Sequence, residues 1–224
     1  METSTHGKKT SKVVILDFDG TVADTMPVLE EIAVKLITKN YCKDHETARK
    51  GYIWTTGLPF WQQLELLFPN NPLNNEIAAK FEDEKRNRFF DQPLFDDTVE
   101  TIEQLRQNFF VCVSSSTLQP LVEQYCRENK LIVDCILGYR PGFEKGKDHF
   151  DYIVKKFSLT YSDLVYVGDS LKDAERAQHN NVAFIGKVGL FSKQEFQELG
   201  NIPTITSLKE LLIWSWNNMR GEDR

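Results

Sequence analysis

Residues 13–21, VVILDFDGT, constrain this chain more than any other stretch. Val13, Val14, Ile15 and Leu16 form an unbroken apolar run, the pattern of a strand buried on both faces of a parallel sheet. The run ends on two acids, Asp17 and Asp19, and Gly20 then allows a sharp turn. Two carboxylates therefore emerge at one strand tip. In open parallel sheets ligands gather outside the carboxyl ends of the strands, so chemistry is expected there.

The remaining pattern supplies the sheet and an insertion. A helix over 27–40 carries Val28, Leu29, Ile32, Ala33, Leu36 and Ile37 along one stripe, with Pro27 suited to its first turn. No strand pattern follows until about residue 93. Short helical pieces occupy 44–50, 59–68 and 74–91, broken by Gly57, Pro69 and the Asn-rich run 70–75. Strands and helices then alternate. A helix with Val99, Ile102 and Leu105 inward leads to a strand at 109–113, the serine run 114–117 and a helix with Leu121, Val122 and Tyr125. Short β segments near 132–137 and a helix holding Phe150, Ile153, Val154 and Phe157 come next. A strand at 164–167, a helix through 173–180, a strand at 182–185 and a final helix opened by a Ser207/Glu210 capping box complete the series. Alternation of this kind predicts an α/β fold with a doubly wound, Rossmann-like parallel sheet. The expected division is a core domain of 1–24 and 94–224, with an inserted α-helical cap domain of 25–93.

Charge narrows the function classes. Against 33 acidic side chains stand 27 Lys and Arg, a net charge of −6, which removes the electrostatic grounds for binding nucleic acid or an anionic membrane. No apolar run approaches the roughly 20 residues of a membrane span. The polar start METSTHGKKTSK has no signal-peptide hydrophobic region, which predicts a cytoplasmic protein with unordered first residues. Cys42, Cys112, Cys126 and Cys135 show no CxxC spacing and are expected as free core thiols. His6, His45, His149 and His179 form no paired ligand motif and are expected at the surface or at helix ends. Nothing in the sequence sets an oligomeric state.

Three downstream stretches also carry groups able to do chemistry. YVGDSLKD, residues 166–173, again places an acid after an apolar strand; VCVSSST, 111–117, places hydroxyls there; FEKGKDHF, 143–150, offers Lys145 and Lys147 near a helix start. Any one of them alone is commonly a solvated turn, a helix cap or a loop lysine. In this order, with DFDGT ahead of them, they resemble the four motifs of the haloacid dehalogenase-like hydrolases, most of which are phosphatases. The layout looks like the phosphoglycolate phosphatase and β-phosphoglucomutase branch, whose helical cap closes over the site and selects substrate.

That resemblance implies a set of roles. Asp17 would be the nucleophile and Asp19 the general acid and base. A carboxylate with an ordinary pKa of about 3.9 is ionised at neutral pH and needs no base to attack phosphorus. Mg²⁺ would be held by Asp17, by the main-chain carbonyl of Asp19 and by Asp169, with Asp173 steadying its surroundings; an all-oxygen set suits Mg²⁺ better than zinc. Ser115 and Lys145 would hold the transferring phosphoryl group, with Gly20, Thr21, Ser116 and Lys147 as further phosphate-site candidates. Ser114 remains an alternative to Ser115, and Lys147 to Lys145, because the common family form has Lys followed by Pro and here Gly146 follows Lys145. Thr55, Thr56, Gly57 and Leu58 look like a specificity loop, with Trp54, Phe60 and Trp61 lining the pocket or packing the cap core.

The expected activity is Mg²⁺-dependent hydrolysis of a small phosphorylated metabolite through an aspartyl-phosphate. Dehalogenases carry a different residue where Asp19 stands, which argues for phosphate chemistry. The alternatives are a sugar-phosphate mutase, which would carry a histidine where this chain has Leu29, and a catalytically silent binding scaffold. A response-regulator receiver is set aside by the size of the helical insert.

Overall fold

The computed structural model describes residues 12–214, so the expectations for the first residues and for His6 lie outside the described part. Six parallel strands, β1 (Val13–Asp17), β2 (Phe110–Leu118), β3 (Cys135–Tyr139), β4 (Leu164–Gly168), β5 (Ala183–Lys187) and β6 (Thr204–Ile205), lie in the order β3-β2-β1-β4-β5-β6. The order reverses at β1. Chain to one side of it runs through β2 and β3, chain to the other through β4, β5 and β6, and the gap this opens at the carboxyl ends is where a doubly wound sheet binds ligands.

The apolar run of β1 is buried throughout because helices cover both faces of the sheet. Val14 and Leu16, with Val111, Val113, Val165 and Val167 of neighbouring strands, pack on one side against α5 (Thr98–Leu105) and α6 (Gln119–Glu128). Val13 and Ile15 face the other way, with Cys112 and Tyr166, onto α7 (Lys147–Phe157), α8 (Leu171–His179) and α9 (Lys193–Gly200). The insertion builds its own apolar core from α1 (Met26–Tyr41), α2 (His45–Thr55), α3 (Phe60–Leu67) and α4 (Asn74–Arg88), with every stripe residue expected of α1 buried in it. Two linkers join it to the sheet domain side by side: Asp24 N–H donates to Pro93 O (2.9 Å) and Phe95 N–H to Val22 O (3.3 Å). Among the described residues no helix is long and apolar enough to cross a membrane.

Several local expectations are corrected. Strand β2 continues through the serine run, because Ser114 is in register with Asp17 on one side and Leu137 on the other, and the irregularity comes only between Ser114 and Leu118. Val99 is largely exposed, and threonines share the inward face of α5: Thr98 donates its hydroxyl to Val22 O at 3.0 Å. The Ser207/Glu210 capping box is present but opens a 3-10 turn, Leu208–Ile213. Helix α9 and strand β6 were not anticipated, although Ser192 and Glu195 form a second capping box in front of α9. All four cysteines are free; Cys112 and Cys126 are core thiols, Cys135 is half-buried, and Cys42 is exposed in the left-handed position that ends α1.

His149 is at a helix end, one of the two expected places, but not at the surface. It lies in the first turn of α7 but is fully buried, its Nδ1 2.8 Å from Ser114 Oγ and its ring stacked at a tilt on Phe143. Burial, reinforced by the nearby Lys145 charge, pushes its pKa down to about 3. The folded chain thus keeps His149 neutral where an unfolded histidine protonates. The resulting stability is complete above the ordinary value of about 6.5 and is lost as pH falls toward 3, by up to about 1.4 kcal/mol per pH unit. In the His149→Gln protein, which retains a polar partner for Ser114, denaturation midpoints are expected to fall less steeply than in the wild type between about pH 6.5 and 4.5. Parallel slopes for the two proteins would show that another group titrates.

Candidate active site

Asp17, the last residue of β1, points into the gap at the reversal of strand order and is 3% exposed. Asp169 follows β4 directly, and Asp173 sits in the first turn of α8, which Ser170 caps by accepting from Asp173 N–H. Carboxylate oxygens of Asp17, Asp169 and Asp173 lie within 4.8 Å of one another, all buried. Lys145, at the entrance to α7, reaches into this group and donates to Asp17 Oδ1 (2.6 Å) and to Asp173 Oδ1 (2.9 Å). Gly20 is required by this crowding, since a Cβ there would stand 2.0 Å from Asp169 Oδ2.

The three acids have different surroundings. Asp173 is saturated by donors: besides Lys145, its Oδ1 accepts from Tyr166 Oη (2.8 Å) and Arg176 Nη1 (3.2 Å), and its Oδ2 from Ser170 Oγ (2.8 Å). Burial alone would raise its pKa, but Lys145 and Arg176 overcome that and hold it below the usual carboxylate range. Asp17 is pushed up to about 7, first by burial and then by the charges of Asp173 and Asp19, against the pull of Lys145. Asp169 is held above the usual carboxylate range by burial and then by the charges of Asp17 and Asp173. Lys145 and Arg176 together cannot neutralise three buried carboxylates, so the group has a surplus of negative charge. That surplus, on hard oxygen donors, fits a divalent cation such as Mg²⁺.

Asp19 belongs to a separate network. Its Oδ1 accepts from Thr25 Oγ1 (2.8 Å) and its Oδ2 from Thr117 Oγ1 (2.7 Å) and Ser115 Oγ (3.2 Å). The side chain is thus held by three hydroxyls and stands apart from the acid group, which leaves only its main chain for the metal expected there.

A cavity of about 50 Å³ lies over these residues, floored by Asp17, Asp19, Lys145 and Asp169 and roofed by Tyr52, Phe60, Phe81 and Lys85 of the inserted helices. Lys85 is buried, donates to Thr117 Oγ1 and lies 5.3 Å from the Phe89 ring centre. Of the expected specificity loop, Thr56, Gly57 and Leu58 border the cavity and Thr55 does not; Gln63 braces the loop, lying 2.9 Å from Thr55 Oγ1 and donating to Leu58 O at 2.9 Å. Phe60 lines the cavity, while Trp54 and Trp61 are largely exposed and do not.

The structure therefore brings Asp17, Asp19, Ser115, Lys145, Asp169 and Asp173 together and leaves others aside. Ser116 borders the cavity but donates its hydroxyl to Gly57 O (2.7 Å). Gly20 borders an outer groove behind Asp169, and Thr21 lines neither space, its hydroxyl being buried without a partner. Lys147 is turned to solvent, where it pairs with Asp151 at 2.6 Å. Ser114 is engaged with His149. Sequence reasoning passed over Thr117, Lys85 and Arg176. Lys85 was findable, because it continues the buried stripe Ile77, Phe81 at a spacing of four, where a lysine is out of place unless its charge has a task.

The comparisons agree with this architecture. The family model described as haloacid dehalogenase-like hydrolase matches residues 14–187, and the chain belongs to that family. No curated protein matches it in sequence. Among solved structures, a predicted phosphatase from Clostridium acetobutylicum aligns with 22% identity and a TM-score of 0.75, covering 90% of this chain and 96% of that one. CbbY from Rhodobacter sphaeroides, solved in complex with phosphate, aligns with 18% identity and a TM-score of 0.69 over 89% of this chain and 96% of that one. A mutant of CbbY in complex with xylulose-(1,5)-bisphosphate aligns with 19% identity and a TM-score of 0.66 over the same shares. At these identities the likeness is one of fold.

The geometry separates the two lysines. Replacing Lys145 by Ala leaves Asp17 and Asp173 without their shared cation, and kcat/KM is expected to fall by about a hundredfold or more. Lys147→Ala removes an exposed pair and should stay within about twofold of wild type. Equal losses in steady-state assays of the two variants would reject the assignment.

Proposed function

We propose that the chain is a phosphomonoesterase that hydrolyses a small phosphorylated metabolite through a covalent phosphate on Asp17. The observation that carries this reading is the placement of Asp17 against Lys145 at the tip of β1, with Asp19 held nearby by hydroxyls. Lys145 favours the ionised form of Asp17, which can then attack phosphorus as the bond to the leaving oxygen breaks. Asp19 gives its proton to that oxygen, so the product leaves as an alcohol. In the second half Asp19 takes a proton from water, the water oxygen bonds to phosphorus, and the Asp17–phosphorus bond breaks to release phosphate. Ser115, already within reach of Asp19, and Lys145 hold the phosphoryl oxygens.

Asp17 and Asp169, with the main chain of Asp19, would hold Mg²⁺, while Asp173 keeps Lys145 in place. Bound there, the cation offsets the charge of nucleophile and phosphate, which at 4 Å and an effective dielectric of 20 repel by about 4 kcal/mol per pair of unit charges. Hydrolysis is preferred to mutase chemistry because Leu29, at the position where a mutase would carry a histidine, is an apolar part of the cavity wall. CbbY binds phosphate and a sugar bisphosphate, which makes sugar phosphates the first substrate class to examine.

A panel of phosphorylated metabolites, assayed for phosphate release with Mg²⁺ and with EDTA, tests the reading. Release should require the metal and should drop by more than about a thousandfold in Asp17→Asn. Activity surviving above that level would contradict covalent catalysis by Asp17. Interconversion of sugar phosphates without release would favour the mutase.

A further inference from the structure

Arg176 touches both the acid group and the loop between α2 and α3. It lies in α8 one turn after Asp173, and its Nη1 donates both to Asp173 Oδ1 (3.2 Å) and to the main-chain oxygen of Gly57 (2.8 Å), which is 119 residues away in sequence. An Arg and an Asp three apart on a helix are ordinarily a weak surface pair. Here the acid is fully buried and the arginine side chain 18% exposed, so the contact is shielded from water and charge-assisted.

Three further observations converge on the same place. Gly57 O also accepts from Ser116 Oγ, so both lone pairs of this cap carbonyl are filled by donors from the sheet domain. Gly57 itself, at φ +97°, rests on the start of α8: a Cβ there would meet Ser170 Oγ at 2.5 Å and Lys172 Cβ at 3.1 Å. The arginine stem reaches Gly57 by crossing Gly146, where a Cβ would meet Arg176 Cδ at 3.1 Å. Gly146 has φ +109°, a conformation closed to the proline that commonly follows the family lysine. Lys145-Gly146 and Arg176 are thus two halves of one arrangement.

We propose that Arg176 is a positioning residue that couples cap closure to the catalytic acids, tying the Gly57 carbonyl to Asp173 so that the specificity loop and the Asp173–Lys145 pair are seated together. The kinetic part of this rests on the hydrolase reading; the structural part does not. When the cap lifts, the guanidinium stays on α8 with Asp173 but loses the Gly57 carbonyl that helps orient it. When the cap closes, the loop is fixed over the cavity.

The first test needs no substrate. Hydrogen exchange is measured on the intact wild-type chain, on Arg176→Met, which keeps the stem over Gly146 but no donor, and on Arg176→Lys, with thermal melts to confirm that each is folded. The amides of Thr56 and Leu58, bonded within the loop to Ile53 O and Thr55 O, should exchange about tenfold faster in Arg176→Met and return most of the way in Arg176→Lys, while α5 is unchanged. Loop exchange equal to wild type in Arg176→Met overturns the proposal. On the best ester of the panel, Arg176→Met should raise KM about tenfold, with partial recovery in Arg176→Lys. A loss confined to kcat would mean that Arg176 serves Asp173 alone, and the coupling would be wrong. If the wild type releases no phosphate from any ester, the hydrolase reading fails, whereas the exchange result still decides the tie between loop and core.

Discussion

The ion contacts of Lys145 with Asp17 and Asp173 are the interaction on which the site depends. All three groups are almost completely withdrawn from water, where an isolated carboxylate or ammonium would give up its charge. Together they remain ionisable because each compensates the others, and Lys145 is itself held above its ordinary pKa by the two acids despite its burial. Asp173 takes the larger share of the compensation, since Arg176, Tyr166 and Ser170 also donate to it. Asp17 and Asp169 are left short of positive charge. A nucleophile in that state repels an anionic ester unless a further cation is supplied, which ties the covalent role proposed for Asp17 to the metal proposed beside it.

The sheet makes this arrangement possible by fixing strand ends rather than by fixing loops. β1 lies between β2 and β4, buried on both faces, so Asp17 cannot slide without breaking register with Ser114. Close approach is then secured by glycines. A Cβ on Gly20 would collide with Asp169, and one on Gly168 would lie 2.9 Å from Asp173 Oδ2. The same residues that read as turn formers in DFDGT and VGDS are therefore the ones that let three carboxylates share one space.

What was legible in the sequence follows from this. Apolar runs ending in acids are local signals, so β1, β4 and their carboxylates could be read directly, as could the amphipathic stripe of α1. The serine run misled because a strand that continues past its apolar residues is held there by neighbours that local pattern does not display: Ser114 pairs with Asp17 and Leu137. The choice between Lys145 and Lys147 was also beyond local pattern, since two residues of helix entry separate a fully buried lysine from an exposed one. His149 was unreadable for a different reason. Its burial depends on Ser114 from β2 and Phe143 from the preceding loop, and no spacing in the sequence encodes that meeting. Thr117 and Arg176 likewise acquire their roles only from what lies opposite them.

The inserted helices lie over the site through a small number of contacts. The cavity of about 50 Å³ has room for a few waters, so these helices lie close over the acids. They bury their apolar stripes against one another, and Ile53 of α2 also packs against the sheet-domain core. What holds them down over the site includes a short set of polar contacts: Gly57 O with Ser116 and Arg176, Lys85 with Thr117, and Gln62 Nε2 donating to Glu144 Oε2 at 2.9 Å. The paired linkers at residues 22–24 and 93–95 attach the base of the inserted helices to the sheet domain. The inserted helices are thus seated on the sheet domain by hydrogen bonds and by the apolar contact of Ile53, over a base of two adjacent linkers.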